Sequence, residues 1–167
     1  MFCLRQLLDG RPVDFHGEFI DLRVDPPRAR TASGRSPLFY FGGLSPAARD
    51  CAAAGADVFL MWPDVTEKVL EVKDDMDRRA SAVGRSLRYG WRSHVIVRET
   101  EDAARAAARR LLSKLDDETG AAIRTKSLDS SSAGVARQAA LREGADDEGY
   151  AERHLWTGVG RARSGAG

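Results

Sequence analysis

Three stretches of this chain hold residue types that do chemistry. In "GWRSHVIV", Arg92 and His94 stand two residues apart. Alternate side chains of a strand share a face, so on a regular strand the pair would lie roughly 7 Å apart. An arginine beside a histidine can bind an anion and move a proton near neutral pH. Burying such groups is expensive unless they are paired or used, so the choice lies between a site and an edge strand with a solvated face. In "FGGLSPAA", Gly42 and Gly43 let the backbone turn tightly and approach a ligand. Ser45 is a good N-cap, and Pro46 fits the first helical position. The amides of Ala47 and Ala48 and the Ser45 hydroxyl then make a natural phosphate site; the alternative is a plain capped turn. In "GVGRARSGAG", Arg161 and Arg163 sit among glycines, either as a loop that closes over an anionic substrate or as a frayed tail.

Those residues need a scaffold, and the chain alternates strand and helix signals in a way that supplies one. "PLFYFGG" and "ADVFLMW" are continuous apolar runs, the pattern of strands buried on both faces in a parallel sheet. "LRYGWRSHVIV" (87–97) reads as a third strand. Helices follow each: one from Ser45 to Gly55, one opened by Asp64 with Glu67 three residues on as a capping box, one capped by Thr100. Val65, Val69, Val72, Met76, Ala80 and Val83 keep a helical stripe. Three βα units at short spacing predict an α/β fold with a parallel sheet. Trp62 ends the second strand, where an aromatic walls a pocket or packs in the core. Cys51 falls inside the first helix as a small buried residue.

Upstream, Phe2, Leu4, Leu7 and Leu8 mark one side of an amphipathic helix, and "FHGEFIDLRV" suggests short strands. Downstream of Leu115 the chain turns polar, with one helical piece near Val135 to Arg142, as a linker or an active-site loop. A chain that starts inside a helix and stops inside a loop reads like a segment of something longer.

Bulk properties narrow the classes. The 167 residues suffice for one domain, 1–167, and a net charge of +1 gives no electrostatic case for nucleic acid. Cys3 and Cys51 form no CxxC pair, so no metal is expected and a reducing cytoplasm fits. No apolar run is long enough to span a membrane.

Taken together, "PLFYFGGLSPAARDCAAAGADVFLMW", "GWRSHVIVRETEDAARAAARRLLSKLDDET" and "LWTGVGRARSGAG" resemble the alkanesulfonate monooxygenases of the bacterial-luciferase-like, flavin-dependent superfamily. The resemblance runs from about Leu4 onward. It implies a partial (β/α)8 TIM barrel: three βα units matching the fifth to seventh, with a mostly helical insertion and mobile loop over 116–167. Its active site would lie at the C-terminal strand ends. It also implies reduced FMN supplied by a separate NAD(P)H-dependent flavin reductase, O2 as co-substrate, and cleavage of an alkanesulfonate to aldehyde and sulfite. Full-length family members are oligomers. By motif, Arg92 would aid deprotonation or bind the sulfonate, His94 would orient substrate or flavin, and Arg163 would close over both. Gly42, Gly43 and Ser45 would bind the flavin phosphate, with Leu44 standing where a serine is common. Three units cannot close an eight-stranded barrel, so little turnover is expected of the chain alone. Two other readings are a different luciferase-like flavin- or deazaflavin-dependent oxidoreductase, and a non-catalytic module that binds an anion or a partner.

Overall fold

The computed structural model describes residues 1–28, 31–126 and 132–161. The apolar start forms α1 (Phe2–Leu8), and an antiparallel hairpin follows, β1 (Val13–His16) with β2 (Asp21–Val24). Then come β3 (Tyr40–Phe41), α2 (Pro46–Gly55), β4 (Val58–Met61), α3 (Thr66–Ala82), β5 (Arg88–Trp91) and α4 (Glu101–Leu112). The three strands form one parallel sheet in the order β3-β4-β5, as the alternating pattern predicts.

Register explains the core. Phe41, Phe59 and Tyr89 lie side by side across the sheet, and Met61 follows Phe59 on the same face of β4. Against Phe59 and Met61 pack Ala52, Ala53 and Ala56 from α2 and its C-cap, and Val72, Met76 and Ala80 from α3. The α3 residues recur every four positions, so one stripe of that helix is buried while Leu70 faces outward. Polar groups join the two helices at their rim. Arg49 of α2 donates to Asp75 of α3 at 2.8 Å, and Arg79 also bonds Asp75. At the other end Asp57 accepts from the Phe39 amide and from Arg5, tying α1 to the sheet.

The outer strands depart from the sequence reading. β3 spans two residues, and Tyr40 is 60% exposed, so it is an edge rather than a strand covered on both faces. β5 stops at Trp91, with only the Arg92 amide still reaching the Met61 carbonyl at 2.9 Å. The cause lies in its neighbour: β4 ends at Met61, just before Pro63, and leaves nothing to pair with residues further on. Val95 and Val97 are accordingly exposed. Cys51 is exposed on α2, not a buried small residue.

After α4, which packs against the 3-10 turn Gly158–Arg161, the chain forms α5 (Asp117–Thr125), α6 (Ala133–Glu143) and a hairpin, β6 (Tyr150–Glu152) with β7 (Leu155–Trp156). The expected helical piece is thus α6, capped by Ser132. The hairpin was not expected from the polar sequence. Arg105 of α4 sits 4.0 Å over the Tyr150 ring and bonds Glu101 and Glu148, which joins hairpin to helix. Among the described residues, no helix is long and apolar enough to cross a membrane. None of their His, Cys, Asp and Glu side chains form a group of three or more that could hold a metal ion.

Candidate active site

A cavity of about 780 Å³ opens at the C-terminal ends of β3, β4 and β5. In parallel sheets this is where ligands bind, because loops diverge there and helix N-termini point in. The floor is Gly42, Gly43, Leu60, Met61 and Trp62; α3 adds Lys68, Val69 and Val72; and α6 closes the far side with Ser132 to Gly134, Arg137 and Gln138.

The turn after β3 is built by close approach. A Cβ on Gly42 would lie 2.9 Å from the Leu60 carbonyl oxygen, and one on Gly43 would lie 2.7 Å from the Ala48 Cβ. Only glycine lets the turn pass between β4 and α2 while its backbone lines the cavity. Ser45 caps α2 by accepting from the Ala48 amide at 3.3 Å. That uses one of the two amides expected for a ligand, and leaves Ala47's amide without a protein acceptor among the described residues. Gly42, Gly43 and Ser45 therefore come together at one cavity wall.

The expected strand pair does not form. Arg92 lines the cavity and is exposed, and among the described residues its guanidinium has no partner. His94 is exposed in the irregular segment past β5 and is not part of the cavity lining. The two are not neighbours on one strand face, because the strand has already ended. Arg163 lies outside the described residues, and Arg161 closes the 3-10 turn. Trp62 is half-buried and lines the cavity, with its ring 3.1 Å from where a Cβ on Gly134 would stand.

The β4–α3 connection holds residues that sequence reasoning missed. Asp64 does not cap α3. Val65 is the N-cap, and Asp64 takes both nitrogens of a bidentate Arg137 at 2.6 and 2.5 Å. Thr66 instead gives its amide and hydroxyl to Glu152 of the hairpin, at 2.8 and 2.9 Å. This carboxylate serves the free N–H end of α3 in place of Glu67. Gln138 adds a third link, donating to the Pro63 carbonyl at 2.8 Å. The C-terminal segment is docked on residues 63–66 by these bonds, which span more than 70 positions of sequence.

The lining is positive. Arg49, Lys68, Arg92 and Arg137 face a single acid, Asp64. Asp75, behind the wall, holds Arg49; the Arg49 hydrogen bond first, then Arg79, keeps this carboxyl below its usual range although burial opposes them. Lys68 pairs with Glu71. Among the described residues, Arg92 is left as the lining cation with charge to offer an anion.

A parallel βα sheet with its cavity at the C-terminal strand ends is the framework of a barrel-type α/β fold. Residues 3–165 match the Luciferase-like monooxygenase family, and the chain belongs to it. The chain is 61% identical over 167 residues to the sulfoquinovose monooxygenase of Novosphingobium aromaticivorans, covering 100% of this chain and 46% of that relative. Its identity to the sulfoquinovose monooxygenase of Agrobacterium fabrum is 47% over 167 residues, covering 98% and 43%. The chain thus spans less than half the length of these relatives. Among solved structures it resembles DmoA from Hyphomicrobium sulfonivorans, with TM-score 0.55 and 20% identity over 64% of this chain and 23% of that one. It also resembles the riboflavin lyase RcaE, solved with modified FMN and riboflavin, with TM-score 0.57 and 16% identity over 93% and 34%. At those identities the likeness shows the fold, which is the expected partial barrel.

Proposed function

We propose that this chain carries part of the site of a flavin-dependent monooxygenase that cleaves the carbon–sulfur bond of a sulfonate. The observation that carries the reading is the pairing, in one cavity, of the Gly42–Ser45 turn with Arg92, whose guanidinium has no partner among the described residues. Reduced FMN fits the residues present. The cavity volume lies within the roughly 300–1,000 Å³ typical of small-molecule sites. Leu60, Trp62 and Val69 supply an apolar wall, and Gly42, Gly43 and Ser45 line the cavity where the N-terminus of α2 begins, the kind of place that takes a phosphate. Bound there, reduced flavin supplies the electrons that activate O2.

The chain's own residues bind and orient. Gly42, Gly43 and Ser45 seat the phosphate. Arg92 pairs with the sulfonate through a forked guanidinium and stabilises the departing sulfite, whose charge grows as the bond breaks. His94 orients substrate or flavin, and Arg163 closes over the bound anion. A separate NAD(P)H-dependent reductase supplies the flavin, the site works in the cytoplasm, and the full-length protein is a homo-oligomer. The region 116–167 acts as an insertion and closing loop within one partial barrel domain.

The substrate is a sulfonated sugar of the sulfoquinovose type, supported by the names of two relatives and by the polar side chains that α6 brings to the cavity. An alkanesulfonate would meet the same Arg92 and apolar wall. Sulfonate titration into the flavin-loaded chain under nitrogen tests the assignment. Arg92→Ala should weaken binding by about tenfold or more, the scale of one charge-assisted pair. Unchanged affinity would remove Arg92 from the sulfonate site.

A further inference from the structure

Gln138 is 4% exposed, yet it lines the cavity. Its Nε2 donates to the Pro63 carbonyl at 2.8 Å. A carbonyl only accepts, so the amide nitrogen must face Pro63 and the amide orientation is fixed. That leaves Oε1 as a buried acceptor with no donor among the described residues. Buried acceptors are rarely left unmet, and doing so is costly. The neighbouring Asp64 carboxylate does not share this condition, because Arg137 and the Val65 amide satisfy it. Ser132, the N-cap of the same helix, accepts from the Val135 amide and keeps its own O–H to give. An alkyl chain offers nothing to Oε1, whereas a hydroxyl does.

We propose that Gln138 is a specificity-determining residue: its Oε1 accepts a hydrogen bond from a ligand hydroxyl, so the cavity favours a polyhydroxylated ligand over an alkyl one of equal length. The inference rests on the functional reading above. The hydroxyl has two possible sources, the ring of a sulfonated sugar and the ribityl chain of reduced FMN.

The test titrates the chain and its Gln138→Met variant under nitrogen with reduced FMN, sulfoquinovose and hexanesulfonate, following tryptophan fluorescence. Each sulfonate is added with and without flavin. Gln138→Met should weaken reduced FMN or sulfoquinovose by about tenfold, the effect of one hydrogen bond with its buried partner. Hexanesulfonate should be unchanged, and the arm that loses affinity names the source of the hydroxyl. An equal loss for hexanesulfonate, or no loss in any arm, overturns the proposal. Should the variant fail to fold, the unaltered chain decides: sulfoquinovose must bind more tightly than hexanesulfonate, or reduced riboflavin more tightly than reduced lumiflavin, which lacks the ribityl chain, and the absence of both preferences overturns the proposal. Failure of reduced FMN to bind the unaltered chain would count against the flavin reading, while the flavin-free sulfonate arms still judge Gln138.

Discussion

Removing Arg137 should loosen the C-terminal segment more than any surface substitution would. Its bidentate bond to Asp64 joins side chains that are 30% and 11% exposed. Breaking one side of a fully buried pair costs about 3–5 kcal/mol, and an exposed pair contributes roughly 0–1 kcal/mol. This pair lies between those limits. Asp64 also keeps one bond from the Val65 amide after the loss. A coupling of about 2 kcal/mol follows. With a urea slope of about 1–3 kcal/mol/M, Arg137→Leu should lower the unfolding midpoint by about 1 M. Asp64→Asn should cost less, since the charge it leaves unpaired, Arg137, is 30% exposed against 11% for Asp64, and the amide oxygen can still accept one bond. The double variant Asp64→Asn/Arg137→Leu should be more stable than the summed single effects. Urea titration of the four proteins closes the cycle. Strict additivity within about 0.5 kcal/mol would show that the pair is not coupled and refute the reasoning.

Gly42→Ala should destabilise by about 1–3 kcal/mol, because the new methyl meets the Leu60 carbonyl at 2.9 Å and backbone cannot yield cheaply. Gly90→Ala should cost less at the same 2.9 Å, since its obstacle is the mobile end of the Leu60 side chain; thermal unfolding of both variants checks the order. Asp75 has a lowered carboxyl pKa in the folded chain. Its stabilisation is therefore complete above the unfolded value of about 3.9 and is lost as pH falls through the folded value. Asp75→Asn should lower stability near neutral pH and flatten the decline in acid; an unchanged acid profile would contradict the Arg49–Asp75 bridge. Exposed Cys51 should react with a maleimide faster than half-buried Cys3, as peptide mapping after brief labelling would show.

What could be read from the sequence was local. Ser45 and Thr100 cap their helices as such residues do, and Gly42 and Gly43 mark a real turn. The apolar run of β4 announced the buried middle strand. What escaped depends on partners remote in sequence. Asp64 resembles a helix cap until Arg137, 73 positions later, takes its carboxylate. Glu152, 86 positions from Thr66, does the capping instead. The end of β5 is set by the end of β4 at Met61, just before Pro63, so the alternation through His94 was misleading. The β6–β7 hairpin is short and polar; its two aromatics, Tyr150 and Trp156, were its faint signal.

The central claim is that the Gly42–Ser45 turn recognises the phosphate of a reduced flavin. Anaerobic titration of the chain with reduced FMN and with reduced riboflavin, which lacks the phosphate, tests it most directly. The account predicts saturable quenching of tryptophan fluorescence by FMN, at least tenfold weaker with riboflavin, on the scale of the charge-assisted bonds removed. Equal affinity for the two flavins, or no binding of either, would contradict it.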